Sequence, residues 1–151
     1  MTATAGARAA GVARAGGVCI ADEVQTGFGR VGTHSWAFEA HGVVPDIVVL
    51  GKALGGGVLP IAACLARDDL NVVGAYAFGH YTHEKNPVTA CAALATLEVI
   101  EREGLVENAA RVGAYALERL QAMKQRHAVI GDVRGRGLLL GIELVTDRAA
   151  K

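Results

Sequence analysis

Apolar positions along the 151-residue chain change period several times, and each change marks an element. Ala7 to Ala15 sets Arg8 and Arg14 among alanines and reads as the tail of a helix, ended by Gly16-Gly17. Val18 to Ala21 is an unbroken apolar run, the pattern of a strand covered on both faces in a parallel sheet. Gly27 to Gly32 is a glycine-punctuated loop, and Ser35 to His41 predicts a short helix before Pro45 restarts the chain as strand through Ile47–Leu50. Pro60 to Ala66 reads as another buried strand, and its short connection predicts that it runs antiparallel to Ile47–Leu50. Residues 74–86 are polar and aromatic. Asn86-Pro87 then opens a helix, with Asn as N-cap and Pro in the first turn, and helical spacing continues through Val99 and Ile100 towards Gly104. A second amphipathic helix is expected from Val106 to Arg126, with Leu117, Leu120 and Met123 on one face. The end is β-like: Val129 to Val133, a turn containing Gly135 and Gly137, then Leu138 to Val145.

This order predicts an α/β unit with a mostly parallel sheet and one antiparallel strand, followed by the start of an α+β unit. The boundary is expected near residue 105, giving 1–105 and 106–151. Composition changes the picture little. Fifteen basic and fifteen acidic residues balance, so nothing points to nucleic acid or another charged partner. No apolar run approaches the roughly 20 residues of a membrane span, and the small residues after Met1 do not form a signal peptide. Cys19, Cys64 and Cys91 are odd in number and lie in apolar segments, which predicts buried, reduced thiols and a cytoplasmic protein.

Two strands deliver chemistry to their ends. The first brings Asp22 and Glu23, the second brings Lys52, and Gly55, Gly56 and Gly57 follow so that backbone can approach the lysine closely. In open α/β sheets ligands sit at the carboxyl ends of strands. An amine and a carboxylate there suit a cofactor that forms an imine and needs its ring nitrogen kept protonated, as pyridoxal phosphate does. Gln25 would reach the phenolic oxygen and Val24 the ring face. The plainer alternatives are a loop cap for Asp22 and a solvated surface charge for Lys52, although four apolar residues before it favour a partly desolvated amine. Gly27-Phe28-Gly29-Arg30-Val31-Gly32, with Asp46 beyond it, matches a dinucleotide-binding pattern. Five residues separate it from the strand, however, and too few follow it for a crossover helix. A phosphate-binding P-loop is excluded because Gly51-Lys52 lacks the required upstream glycine. His80, His83 and Glu84 lack a third metal ligand at persuasive spacing and read as pocket lining. Arg134 and Arg136, flanking Gly135, suit either an anion site or a tight turn.

Taken together, Ile20 to Arg30, Pro45 to Gly57, Asn86-Pro87-Val88 and Asp132 to Leu138 resemble the class-III aminotransferases, fold-type-I pyridoxal-phosphate enzymes. The resemblance covers nearly the whole chain. It implies part of the large cofactor-binding domain and the first hairpin of the small C-terminal domain. It implies that Lys52 holds the cofactor as a Schiff base and moves protons, that Asp22 pairs with the pyridinium, and that Val24 and Gln25 contact the ring and its oxygen. Thr82, five residues before Pro87, matches the threonine lent to the phosphate of the partner subunit's cofactor in a homodimer. The implied reaction moves an amino group from an amine or amino acid to an oxo acid. Relatives turn the same machinery to decarboxylation or to elimination from phosphorylated amines. Members of the family are roughly three times as long, so the resemblance implies a fragment whose phosphate loop, ring-stacking aromatic and carboxylate-gripping arginine lie elsewhere. An inactive remnant serving as an interaction module is the reading from another class.

Overall fold

The computed structural model describes residues 2–76, 82 and 84–149, with the backbone alone at 2–5. Helix α1 (Thr2–Arg14) begins earlier than alanine periodicity indicates and ends at the glycine pair. Strand β1 (Ile20–Asp22) pairs in parallel with β2 (Ile47–Leu50), and β2 pairs antiparallel with β3 (Ala63–Ala66), giving the order β1-β2-β3. The expected antiparallel third strand is present but shorter: residues 60–62 stay out of the ladder, where Pro60 has no N–H to contribute. Asp46 closes the far end of this sheet, accepting from the Cys19 N–H (2.7 Å) and from Arg67 Nη1 (2.6 Å). That is the use of the acid that the dinucleotide pattern would have assigned to a ribose.

Three expectations of burial need correction. β1 is not covered on both faces, for Ile20 is 59% exposed at the end of the three-stranded order. Cys64 and Cys91 are exposed and Cys19 half-buried, although all three thiols are free. β3 is not a buried strand either: three of its four residues, Cys64 among them, are exposed on the other outer strand of that sheet. The short helix expected over Ser35–His41 is present as a 3-10 helix, Ala37–His41, held by its own backbone bonds and closed by Gly42 in the left-handed region.

Asn86 caps helix α2 (Pro87–Arg102) as its sequence predicts, its Oδ1 accepting from the Val88 N–H at 2.9 Å. Helix α3 (Leu105–Arg126) follows after Gly104 and lies on strands β4 (Ile130–Arg136) and β5 (Leu139–Leu144), an antiparallel hairpin. β4 runs three residues further than expected, so Gly135 sits in the ladder opposite Leu140 and only Gly137-Leu138 turns. Leu50, Leu54 and Ala93 form one core, joined by Phe28, Trp36, Val48, Ile61 and Ala63. Val31, Ala109, Ile130 and Val133 are buried elsewhere in the chain.

Among the described residues no helix is long and apolar enough to cross a membrane.

Candidate active site

The parallel pairing of β1 with β2 sets Asp22 opposite Val49, and the Glu23 N–H extends the ladder to the Val49 carbonyl (2.9 Å). Both strands therefore release their chains at one end, with Lys52 three residues past Val49. Gly51 is extended, and the backbone then reverses so that Lys52 has φ 46°, one of three non-glycine residues found in the left-handed region among the described residues. A side chain there costs about 1–2 kcal/mol. The chain keeps an unfavourable conformation at the one residue that the sequence singles out as an amine, a pattern typical of functional sites.

Lys52 is exposed rather than partly desolvated, because the glycines after it leave its side open. It stands between two clefts. One, of about 340 Å³, is lined by Val24, Gln25, Arg30 and Lys52 together with Leu138 and Leu140 of the hairpin. The other, of about 560 Å³, places Lys52 and Arg30 beside Phe28, Gly56, Gly57 and Thr96. A Cβ on Gly51 would stand 3.6 Å from Val24 Cγ1, an ordinary contact, so the residue before Lys52 lies close to Val24. The polar side chains that line the smaller cleft are the Lys52 amine, the Gln25 amide and the Arg30 guanidinium.

Three of the five site residues read from the sequence, Val24, Gln25 and Lys52, share one cleft. Asp22 does not open into it; it lines a depression of about 500 Å³ beside α1. It is tied to the cleft through Val24, whose N–H donates to Asp22 Oδ1 (3.1 Å). Thr82 is exposed in a turn, and none of the described contacts joins it to Lys52. His80 and His83 lie outside the described residues. Arg134 belongs neither to an anion site nor to the turn. In β4 its Nη1 donates to Asp132 Oδ2 (2.9 Å) and lies 3.6 Å from Glu143 Oε2, so those acids raise its pKa.

Two residues that shape the site were given no role in the sequence reading. Glu23, 2% exposed, accepts from Thr26 Oγ1 (2.7 Å) and from the Ala37 and Phe38 N–H groups (3.1 and 2.8 Å). It thereby ties the end of β1 to the 3-10 turn and fixes the loop carrying Val24 and Gln25. Thr26 at i+3 is its only local signal, because the amides lie 14 and 15 residues on. Arg30 is the other, hidden inside a pattern read for its glycines. Those glycines serve packing: a Cβ on Gly29 would meet Val106 Cγ2 at 2.7 Å and one on Gly32 the Ala110 backbone at 2.7 Å, so the loop admits α3. The hairpin turn closes the arrangement, with the Leu138 N–H donating to the Arg30 carbonyl (2.9 Å).

Residues 7–151 match the family described as Aminotransferase class-III. The chain is 51% identical over 140 residues to alanine–glyoxylate aminotransferase 2 homolog 2, mitochondrial, of Arabidopsis thaliana, covering 93% of this chain and 29% of that protein. It is 47% identical over 133 residues to the (R)-1-hydroxy-2-aminoethylphosphonate ammonia-lyase of Vibrio splendidus, covering 87% of this chain and 27% of that one. Its backbone superposes with a TM-score of 0.86 on a PLP-bound amine transaminase from an uncultivated Pseudomonas species, at 38% identity, over 94% of this chain and 33% of that chain. The chain thus spans about a third or less of the lengths it matches. With its strands, its lysine loop and its hairpin all inside the matched region, this chain belongs to the class-III aminotransferase family and carries part of the fold-type-I architecture.

Proposed function

We propose that the chain forms the lysine-bearing part of a pyridoxal-phosphate transaminase that moves an amino group from an amine or amino acid to an oxo acid. The observation that carries this reading is Lys52, held in the left-handed region just past the end of a strand and sharing one cleft with Val24 and Gln25. The cofactor, when bound, supplies an electron sink for the pair left behind when a bond to the substrate's α-carbon breaks. Lys52 would hold it through the ε-amine and, once released, carry the proton off and back as general acid and base. Asp22 would keep the ring nitrogen protonated, Gln25 would donate to the ring oxygen, and Val24 would press on the ring face. Thr82 would serve the cofactor phosphate of a partner subunit in a homodimer.

The named relatives act on alanine and glyoxylate and on an aminophosphonate. The substrate class proposed for this chain is accordingly a small molecule that bears both an amino and an anionic group. Three free thiols, two of them exposed, favour a reducing compartment. The division at residue 105 assigns the strands and Lys52 to the cofactor domain and the α3 hairpin to the small one. The ammonia-lyase relative favours a second reading, elimination of ammonia on the same residues.

The test is titration of the protein with pyridoxal phosphate, borohydride reduction and peptide mapping. The expected result is a single adduct on Lys52. Label spread over Lys85, Lys124 and Lys52 alike would sink the assignment. Release of free ammonia without an oxo-acid acceptor would select the elimination reading.

A further inference from the structure

We infer that Phe28 is a positioning residue for Lys52: with Trp36 it forms an aromatic brace that fixes the lysine's turn against the loop leaving Asp22. The inference rests on the function proposed above and adds how the amine is held. Hydrogen bonding between the chains of β1 and β2 ends at the Glu23 N–H and the Val49 carbonyl, and Lys52 lies beyond it. Among the described residues no backbone hydrogen bond joins residues 24–36 to residues 50–58. Past that point, packing has to set the distance between the acid's strand end and the amine's turn. Leu50 and Leu54, 7% and 6% exposed, stand two residues before and after Lys52. With Ala93 of α2 they make the core on which Phe28 and Trp36 pack. Val48, Ile61 and Ala63 complete it from β2 and the chain around β3, so the aromatic pair is what the loop after β1 contributes. An exposed lysine is thus carried by a turn with buried anchors.

The brace is held stiffly. Its rings meet edge to face, with 5.1 Å between centroids and 67° between planes, a favoured aromatic geometry. Phe28 has φ 60°, a genuine outlier for a bulky side chain, so two of the three described non-glycine residues in the left-handed region, Phe28 and Lys52, line one cleft. Such strain persists only where the surroundings over-determine it, and here they do. A Cβ on Gly27 would meet the Trp36 ring at 3.0 Å, so the indole lies against bare backbone. The Gly29 N–H donates to the Ser35 carbonyl (2.9 Å) on the other side of Phe28. Trp36 is fixed in turn, its N–H donating to Glu39 Oε2 (2.9 Å) while the buried Glu23 carboxylate accepts from the next two amides. Because Glu23 follows Asp22 directly, one line of contacts runs from the acid's strand end through Glu23, Trp36 and Phe28 to the core under the lysine. On the opposite flank a Cβ on Gly56 would stand 2.9 Å from Thr96 Oγ1, so α2 holds the far end of the same turn.

Phe28→Leu keeps an apolar side chain but loses the ring pair, and Phe28→Tyr keeps the ring. The first measurement is hydrogen exchange in the complete protein with no cofactor bound. The Leu54 and Gly56 amides, which donate to the Gly51 and Ala53 carbonyls, should exchange about 3- to 10-fold faster in Phe28→Leu, while amides of the β4–β5 hairpin keep their rates. The second is kinetics with the cofactor loaded. In Phe28→Leu kcat should fall by about 10- to 100-fold with KM for alanine within about twofold, because a displaced amine harms proton transfer rather than substrate binding. Phe28→Tyr should restore both readouts. Unchanged exchange at the turn, exchange that quickens equally in the hairpin, or a loss carried by KM would overturn the inference. Failure of Lys52 to take the cofactor in the unaltered protein would count against the proposed function instead, and the exchange measurement, which needs no cofactor, would still decide whether the brace holds the turn.

Discussion

At Lys52, backbone and chemistry make opposite demands. Only an amine serves the proposed reaction, yet φ 46° suits glycine. Lys52→Ala should abolish the borohydride adduct and leave the strain in place, whereas Lys52→Gly should abolish the adduct and relieve it. Thermal unfolding should find the glycine variant more stable than the alanine variant by about 1 kcal/mol; equal stability would mean the left-handed backbone carries no strain. Glu23 shows the reverse, a charge serving only to hold structure. Glu23→Ala would leave the Ala37 and Phe38 N–H groups without their acceptor and should cost about 3 kcal/mol in urea unfolding. A loss below about 1 kcal/mol would show that water replaces the carboxylate.

At the scale of elements, close backbone approach decides how α3 sits. Gly29 and Gly32 admit Val106 and Ala110, and Gly113 meets the Gly137 carbonyl where no Cβ fits. Gly32→Ala should therefore push α3 off the loop at a cost of about 3 kcal/mol and loosen the wall formed by Leu138 and Leu140. Trp36 fluorescence and thermal unfolding report the two effects, and unchanged stability would mean the helix moves freely there. The hairpin brings a pH dependence. Asp132 is held down to about 2 from 3.8, first by its hydrogen bond from Arg134 and then by that from Lys124. A carboxylate with a depressed pKa stabilises the fold above its unfolded value and loses that contribution as pH falls through the folded one. The stabilisation should be complete above about pH 4 and disappear towards pH 2. Asp132→Asn should flatten the urea midpoint across that window; an unchanged slope would show that the pairs form equally in the unfolded chain.

At the scale of the whole molecule, surface is in excess. The chain exposes 10450 Å² at 15.6 kDa, where a compact monomer of that mass exposes about 7,250 Å². Apolar side chains are part of this exposed surface, including Val18 just before β1, Ile20 on β1 and Leu65 on β3. Open strands with apolar side chains invite pairing. The 151-residue chain on its own should associate as its concentration rises, and Ile20→Lys should weaken that association in light scattering. A monodisperse monomer across the concentration range would show that this surface is tolerated in water.

Short-range chemistry was legible in the sequence. The β-branched run before Lys52, the Asn86-Pro87 start of α2 and the glycine stops each act within a few residues, so the order of the elements and the antiparallel third strand could be read without the fold. The same holds for the grouping of Val24 and Gln25 with Lys52, since each sits within a few residues of a strand end. Long-range partners were not legible. The acceptor role of Glu23 depends on amides 14 and 15 residues away, and the use of Gly29 and Gly32 depends on a helix that starts at Leu105. Tertiary structure alone decided that Asp46 closes the sheet, that Arg134 is spent within β4, and that Arg30 stands beside the lysine. Local sequence sets which conformations and charges each residue can offer. Which of them meet is set by packing, because backbone contact distances of a few ångströms join residues with no common neighbourhood in the chain.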